Sequence, residues 1–229
     1  MFREIIQALR KQDTLSEMIS FFGEMLEIGH SIFKQGIEVA THDIPADQYR
    51  DELFTRDRKI NKLERAIREK IVCHLATGHE GDTGLCLVLM SVVKDAERIG
   101  DYCKNLFEIG DQFKGSYKQA GYTVPLADLA VKIDNLFPQV QQTFAAEEKK
   151  LSLAAVEESI VIRSQCDLLL KQLLTPGGIT QPDEAAALAL RARYIKRIAA
   201  HLGNIATSVG NPIPMLDYQN QKPLDEPNN

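Results

Sequence analysis

The chain has 229 residues, 44% hydrophobic and 26% charged, with a formal net charge of −5 and no tryptophan. That apolar fraction can bury a real core and offset the ordering entropy that leaves poorer chains disordered. Residues 1–121 carry 17 basic and 20 acidic groups and residues 122–229 carry 10 and 12, so neither half is the polycation a dedicated nucleic-acid binder needs. Fourteen glycines and nine prolines are too few for the frequent turns of a sandwich or barrel.

The predicted elements follow in chain order. Met1 to Asp13 alternates charge with apolar residues at helical spacing and lacks a continuous apolar stretch, so it reads as a short extra helix and not a secretory signal. A long helix is expected over 14–41, ended by His42-Asp-Ile-Pro45. The next, over 47–77, repeats Leu53, Ile60, Leu63, Ile67, Ile71 and Leu75 at spacings of three, four and seven. The Gly78–Gly84 breaker precedes a third over 83–113, with Leu85, Leu89, Val92, Ala96, Ile99, Cys103 and Leu106 on one face. After Gly115 to Pro125, a fourth covers 122–146, and Pro138 should kink it. A fifth runs over 150–174, Thr175 to Pro182 interrupts, and a sixth runs over 183–208. From Gly210 onward there are four prolines, four asparagines and no apolar period, the pattern of a mobile tail.

No run reaches the ~18 apolar residues of a membrane span. The richest, Leu85 to Val93, soon meets Lys94 and Asp95. Cys73, Cys86, Cys103 and Cys166 sit singly in helical patterns without C-x-x-C spacing, and are expected to be reduced and mostly buried. A cytoplasmic protein is the expectation.

The six long helices fall into two sets of three. The third of each set carries a related string: Lys94-Asp-Ala-Glu-Arg-Ile-Gly-Asp-Tyr-Cys-Lys-Asn105 and Arg193-Tyr-Ile-Lys-Arg-Ile-Ala-Ala-His-Leu-Gly-Asn204. An internal duplication accounts for this. The expected fold is all-α, two tandem three-helix bundles: an extension 1–13, repeat one over 14–121, repeat two over 122–209, and a tail 210–229.

Within repeat one, Glu97, Asp101, Asn105 and Glu108 fall on one stripe at spacings of four, four and three. Asp57, Asn61 and Glu64 form a matching series on the preceding helix. Like charges four residues apart repel, so the stripe invites a cation, and oxygen donors suit Mg²⁺, Ca²⁺, Mn²⁺ or iron. The plain alternative is a solvated face neutralised by Arg65, Arg68, Arg98 and Lys104. Gly100, costly by ~1 kcal/mol inside a helix, is tolerable where the neighbouring helix approaches closely.

Asp57-Arg-Lys-Ile-Asn-Lys-Leu-Glu64, followed by Val93-Lys-Asp-Ala-Glu-Arg-Ile-Gly-Asp-Tyr-Cys-Lys-Asn105, resembles the PhoU family, whose two tandem three-helix bundles each carry an acidic first motif and a Glu-Arg-Ile-Gly-Asp second motif. The resemblance spans about 14–209. It implies a regulator of phosphate uptake working beside a phosphate ABC transporter and a sensor histidine kinase, as a homodimer, reaching the membrane only through its partner. It also implies Asp57, Glu64, Glu97 and Asp101 as ligands of a divalent or trivalent metal (iron, zinc, magnesium or manganese), with Asn61 and Asn105 in support. Repeat two departs from the pattern: Lys196 and Ala200 stand where the family has Glu and Asp. Lys196 pairing with Glu158 would make metal unnecessary there, leaving a degenerate second site with Glu157 and Asp167 nearby.

Three other readings compete. A diiron carboxylate enzyme expects Glu-x-x-His on two helices, and only Glu27-Ile-Gly-His30 is present. A nucleic-acid binder would use the basic residues of helix two, or Arg191, Arg193, Lys196 and Arg197, but no stacking aromatics are interleaved. A helical scaffold without metal would act by contact alone. No nucleophile elbow, P-loop or dinucleotide fingerprint occurs, so a non-enzymatic role leads.

Overall fold

The computed structural model describes residues 13–146, 149–175 and 181–210. Six long helices account for nearly all of them: α1 (Asp13–Ala40), α2 (Arg50–Ala76), α3 (Thr83–Gln112), α4 (Ala120–Ala146), α5 (Lys149–Leu173) and α6 (Pro182–Gly210). Each boundary falls within a few residues of the breakers that predict it. The expected extension helix in 1–12 and the tail beyond Gly210 lie outside the described residues. Both prolines of α4, Pro125 and Pro138, sit inside the helix.

The protein is all-α, built as two tandem three-helix bundles: α1, α2 and α3 pack together, as do α4, α5 and α6. The bundles join through a long α3–α6 contact and a smaller α1–α4 contact, and one continuous apolar core runs through both. The apolar periodicity explains why. Ile60, Ile67, Leu85, Leu89, Val92, Ile99, Cys103 and Leu106 are all 3% exposed or less. At ~25 cal/mol per Å² each such side chain contributes about 1.5–3 kcal/mol on burial.

Close helix approach requires small residues at particular points. A Cβ on Gly100 would stand 2.8 Å from Ile60 Cδ1, so α2 crosses α3 there, as the glycine's cost in sequence implies. A Cβ on Gly36 would meet the Cys103 carbonyl at 2.7 Å, and one on Gly110 would meet the Val39 carbonyl oxygen at 2.0 Å. These glycines bring α1 against α3 along its second half.

The cysteines are free, with Cys86, Cys103 and Cys166 buried and Cys73 exposed. Burial pushes the Cys166 thiol up to about 12. Among the described residues no helix is long and apolar enough to cross a membrane.

Candidate functional site

The close α2–α3 crossing at Gly100 brings the two acidic series side by side. Lys94 and Lys104 lie between them. Lys94 Nζ is 2.7 Å from Glu97 Oε2 and 3.8 Å from Glu64 Oε1. Lys104 Nζ is 3.3 Å from Asp57 Oδ1 and 3.5 Å from Asp101 Oδ1. Arg68 adds a contact to Glu64 at 2.9 Å. The predicted carboxylates thus form two pairs, Glu64 with Glu97 and Asp57 with Asp101, each bridged by an ammonium. Burial alone would pull the Lys104 ammonium down, but the Asp57 and Asp101 carboxylates outweigh it and hold it above its ordinary value.

This arrangement bears on cation binding in two ways. Among the described residues no three His, Cys, Asp or Glu side chains converge as a metal-binding group. Yet Glu64 Oε1 and Glu97 Oε2 are buried acceptors whose cation contacts lack hydrogen-bond geometry. A buried carboxylate oxygen without a directed donor is costly, and a hard cation is one remedy. The donor chemistry therefore fits a metal, provided that Lys94 moves aside.

Farther along the α3 stripe the surroundings change. Asn105 and Glu108 line a groove of about 480 Å³ between α3 and α6, facing Asp183 and Tyr194. Asn61 remains half-buried between Asp57 and Glu64 on α2.

In repeat two, Lys196 pairs with Asp167 and not with Glu158. The nine residues separating the two acids turn α5 by about 180°, so a lysine that reaches one cannot reach the other. Glu157 is exposed, Glu158 and Ala200 are half-exposed, and a side-chain ammonium supplies the charge.

The basic run of α6 is also not an outward phosphate- or partner-binding surface. Arg191 is 1% exposed, with its guanidinium 4.9 Å from the Tyr117 ring centre. Burial lowers its pKa and raises that of Tyr117. Arg197 lies over Tyr102, its Nε donating to the phenol oxygen at 3.2 Å. Of the four cations only Arg193 is exposed. Arg191 falls in phase with Leu188, Ile195 and Ile198, a signal of burial already visible in the sequence.

Several polar contacts join the bundles. Asp95, buried on α3, is hydrogen-bonded to His201 Nδ1 at 2.6 Å and accepts from Asn204 at 3.2 Å, both on α6. His201 stacks on Tyr102. On the other seam, His30 bonds Asp134 at 2.6 Å and stacks on Phe137, so the single Glu-x-x-His ends in a structural histidine. Glu184, 2% exposed at the start of α6, accepts the backbone N–H groups of Lys118 and Gln119 at 2.6 and 3.0 Å, just before α4 begins. His74 and His79 stack at the α2–α3 turn, and His74 bonds Asp82.

Residues 22–110, which cover most of α1 together with α2 and α3, match the family described as the PhoU domain. Over a longer span its fold is similar to PhoU from Pseudomonas aeruginosa, with a TM-score of 0.75 at 21% identity, covering 86% of this chain and 95% of that one. It is likewise similar to the phosphate transport system regulatory protein PhoU from Streptococcus pneumoniae, with a TM-score of 0.71 at 15% identity, covering 93% and 100%. No curated protein matches the sequence at a significant level. The PhoU fold thus extends through α4, α5 and α6, beyond the segment that the family pattern recognises.

Proposed function

We propose that the protein is a non-enzymatic regulator of phosphate transport, acting by contact with a phosphate transporter and a sensor histidine kinase on the cytoplasmic side of the membrane. The observation that carries this reading is the PhoU domain over 22–110 within a fold similar to PhoU along most of the chain. The helix-on-helix architecture suits the role, because it presents long helical surfaces for contact with a partner.

Within this proposal Asp57, Glu64, Glu97 and Asp101 take up a divalent or trivalent cation when Lys94 and Lys104 are displaced, and Asn61 supports them. The cation's chemistry there is charge neutralisation. What supports it is the all-oxygen donor set and the two buried acceptors without directed donors. Repeat two, with Lys196 on Asp167, takes none.

Deleting the gene and measuring phosphate uptake and the phosphate-responsive kinase output tests the regulatory role. Uptake that no longer falls when phosphate is abundant is expected. Unchanged uptake and unchanged kinase output would overturn it. Elemental analysis of purified wild type against Asp101→Ala tests the cation separately, and equal metal content in both would remove these ligands.

A further inference from the structure

Two lysines of α3 stand symmetrically about the acids that the same helix carries: Lys94 three residues before Glu97 and Lys104 three residues after Asp101. Each also crosses the groove to an acid of α2, Lys94 to Glu64 at 3.8 Å and Lys104 to Asp57 at 3.3 Å. An ammonium therefore sits in the middle of each carboxylate pair, the place a bridging cation would take. Among the described residues Lys104 is the one cation that Asp57 and Asp101 meet, whereas Glu64 keeps a second contact with Arg68.

The fit at these places is that of a stand-in. Lys104 divides its charge between two oxygens at 3.3 and 3.5 Å, both longer than a good charge-assisted bond. The Glu64 side chain is 9% exposed, yet its Oε1 has no directed donor, and neither has Glu97 Oε2. Repeat two shows the other way of supplying the charge. There Lys196 stands in the stripe itself and holds Asp167, so no second acid is left for a cation to bridge. In repeat one both acids of each pair remain, and the ammoniums hang beside them on flexible four-carbon stems. Such a charge can leave.

We propose that Lys94 and Lys104 are tethered counter-ions that hold the acidic faces of α2 and α3 closed without metal, and that a divalent cation enters each carboxylate pair only by exchange with its lysine. This inference rests on the cation reading above and adds what sets the strength of the site. A cation arriving from solution competes with an ammonium that cannot diffuse away, so the wild-type chain takes cations weakly and folds without them. The two pairs exchange unequally. The Asp101 side chain is 40% exposed and Lys104 is that pair's single counter-charge, whereas Glu64 and Glu97 are more buried and Arg68 stays on Glu64. The Asp57/Asp101 pair therefore exchanges first. Each released ammonium remains on this face, beside the exposed Arg98, so loading makes the surface more positive.

Calorimetric titration with Mn²⁺ and thermal melts in chelator test it on the full chain. Wild type is expected to bind weakly and to melt at the same temperature with and without EDTA. Lys104→Met leaves Asp57 and Asp101 facing each other unpaired. It should melt lower in EDTA, recover with Mn²⁺, and bind Mn²⁺ about tenfold or more tightly than wild type. Adding Asp101→Ala to Lys104→Met should abolish that gain, and Lys62→Met, an exposed lysine on α2 outside the pairs, should change nothing. If Lys104→Met does not fold in EDTA, Lys94→Met, in which Arg68 still neutralises Glu64, reads the same competition. Equal affinity in wild type and the lysine variants would overturn the exchange and leave the cation site standing. So would a wild type that loses as much stability in EDTA as they do. A gain that survives Asp101→Ala would place the cation elsewhere and overturn it too. No uptake of Mn²⁺ by any of these proteins would remove the cation reading itself, and the exchange with it.

Discussion

Replacing Gly110 by alanine sets two effects of opposite sign against each other. Alanine is the better helix former by about 1 kcal/mol. Here, however, the added Cβ would lie 2.0 Å from the Val39 carbonyl oxygen, 2.4 Å from its carbon and 2.7 Å from the Ala40 nitrogen. All three are backbone atoms of α1, which no rotamer change can relieve. Restoring ordinary contact requires α1 and α3 to part by about 1.4 Å, at the upper end of the 1–3 kcal/mol range for overpacking. The same oxygen accepts the His42 N–H at 3.0 Å, and disturbing that bond costs about 1 kcal/mol more. The net loss is about 3 kcal/mol, or roughly 6–12 °C in Tm for a chain of this size. Gly100→Ala, in the same helix, is the control. The one close contact of its Cβ is the terminal Cδ1 of Ile60 at 2.8 Å, a side-chain end that can swing away, so its stability should stay within about 1 kcal/mol of wild type. Urea denaturation followed by circular dichroism, with similar slopes for all three proteins, measures the difference. If Gly110→Ala matched wild type, or if the two variants lost equal stability, the close backbone approach at Gly110 would be refuted.

The Glu184 carboxylate closes two backbone donors ahead of α4, so Glu184→Ala should cost about 3 kcal/mol, the low end for two charge-assisted bonds. Amide exchange at the start of α4 should rise with it, and a melt and exchange profile equal to wild type would contradict that role. Arg50 grips Asp111 with two hydrogen bonds, at 2.6 and 3.0 Å, and holds its carboxyl below the ordinary value. A lowered folded-state pKa contributes stability above the unfolded value and loses it as pH falls through the folded one. The Tm advantage of wild type over Asp111→Asn should therefore be constant from neutral pH down to about 5 and close below about 4, whereas a gap unaffected by acid would exclude the ion pair as its source.

Much of the molecule was legible in one dimension. Helix positions follow from apolar residues three and four apart and from the Gly and Pro breakers, both properties of the local chain. The duplication was legible because Arg98-Ile99 and Arg197-Ile198 share a context. Gly100 announced a close crossing through its cost alone. The candidate site was legible only as a set of residues on two helices. Which carboxylate meets which cation depends on how far each helix is rotated and shifted against the other, and no local spacing encodes that. Lys196 illustrates the point: the resemblance pointed to Glu158, and the half-turn of α5 between the two acids selected Asp167.

The same limit holds for the charge of α6. Arg191, Lys196 and Arg197 read as a basic face until the fold places Tyr117 of the α3–α4 connection, Asp167 of α5 and Tyr102 of α3 against them. Asp95 with His201 and His30 with Asp134 are more than 100 residues apart in sequence, and only the docking of the two bundles brings them together. By itself the sequence determined six helices, their grouping in threes and the acidic series, because periodicity and turn chemistry act over a few residues. Only the tertiary structure decided that lysines bridge the acids of repeat one and that polar pairs seam the two bundles, because partner choice among charges is settled by distance and burial across helices.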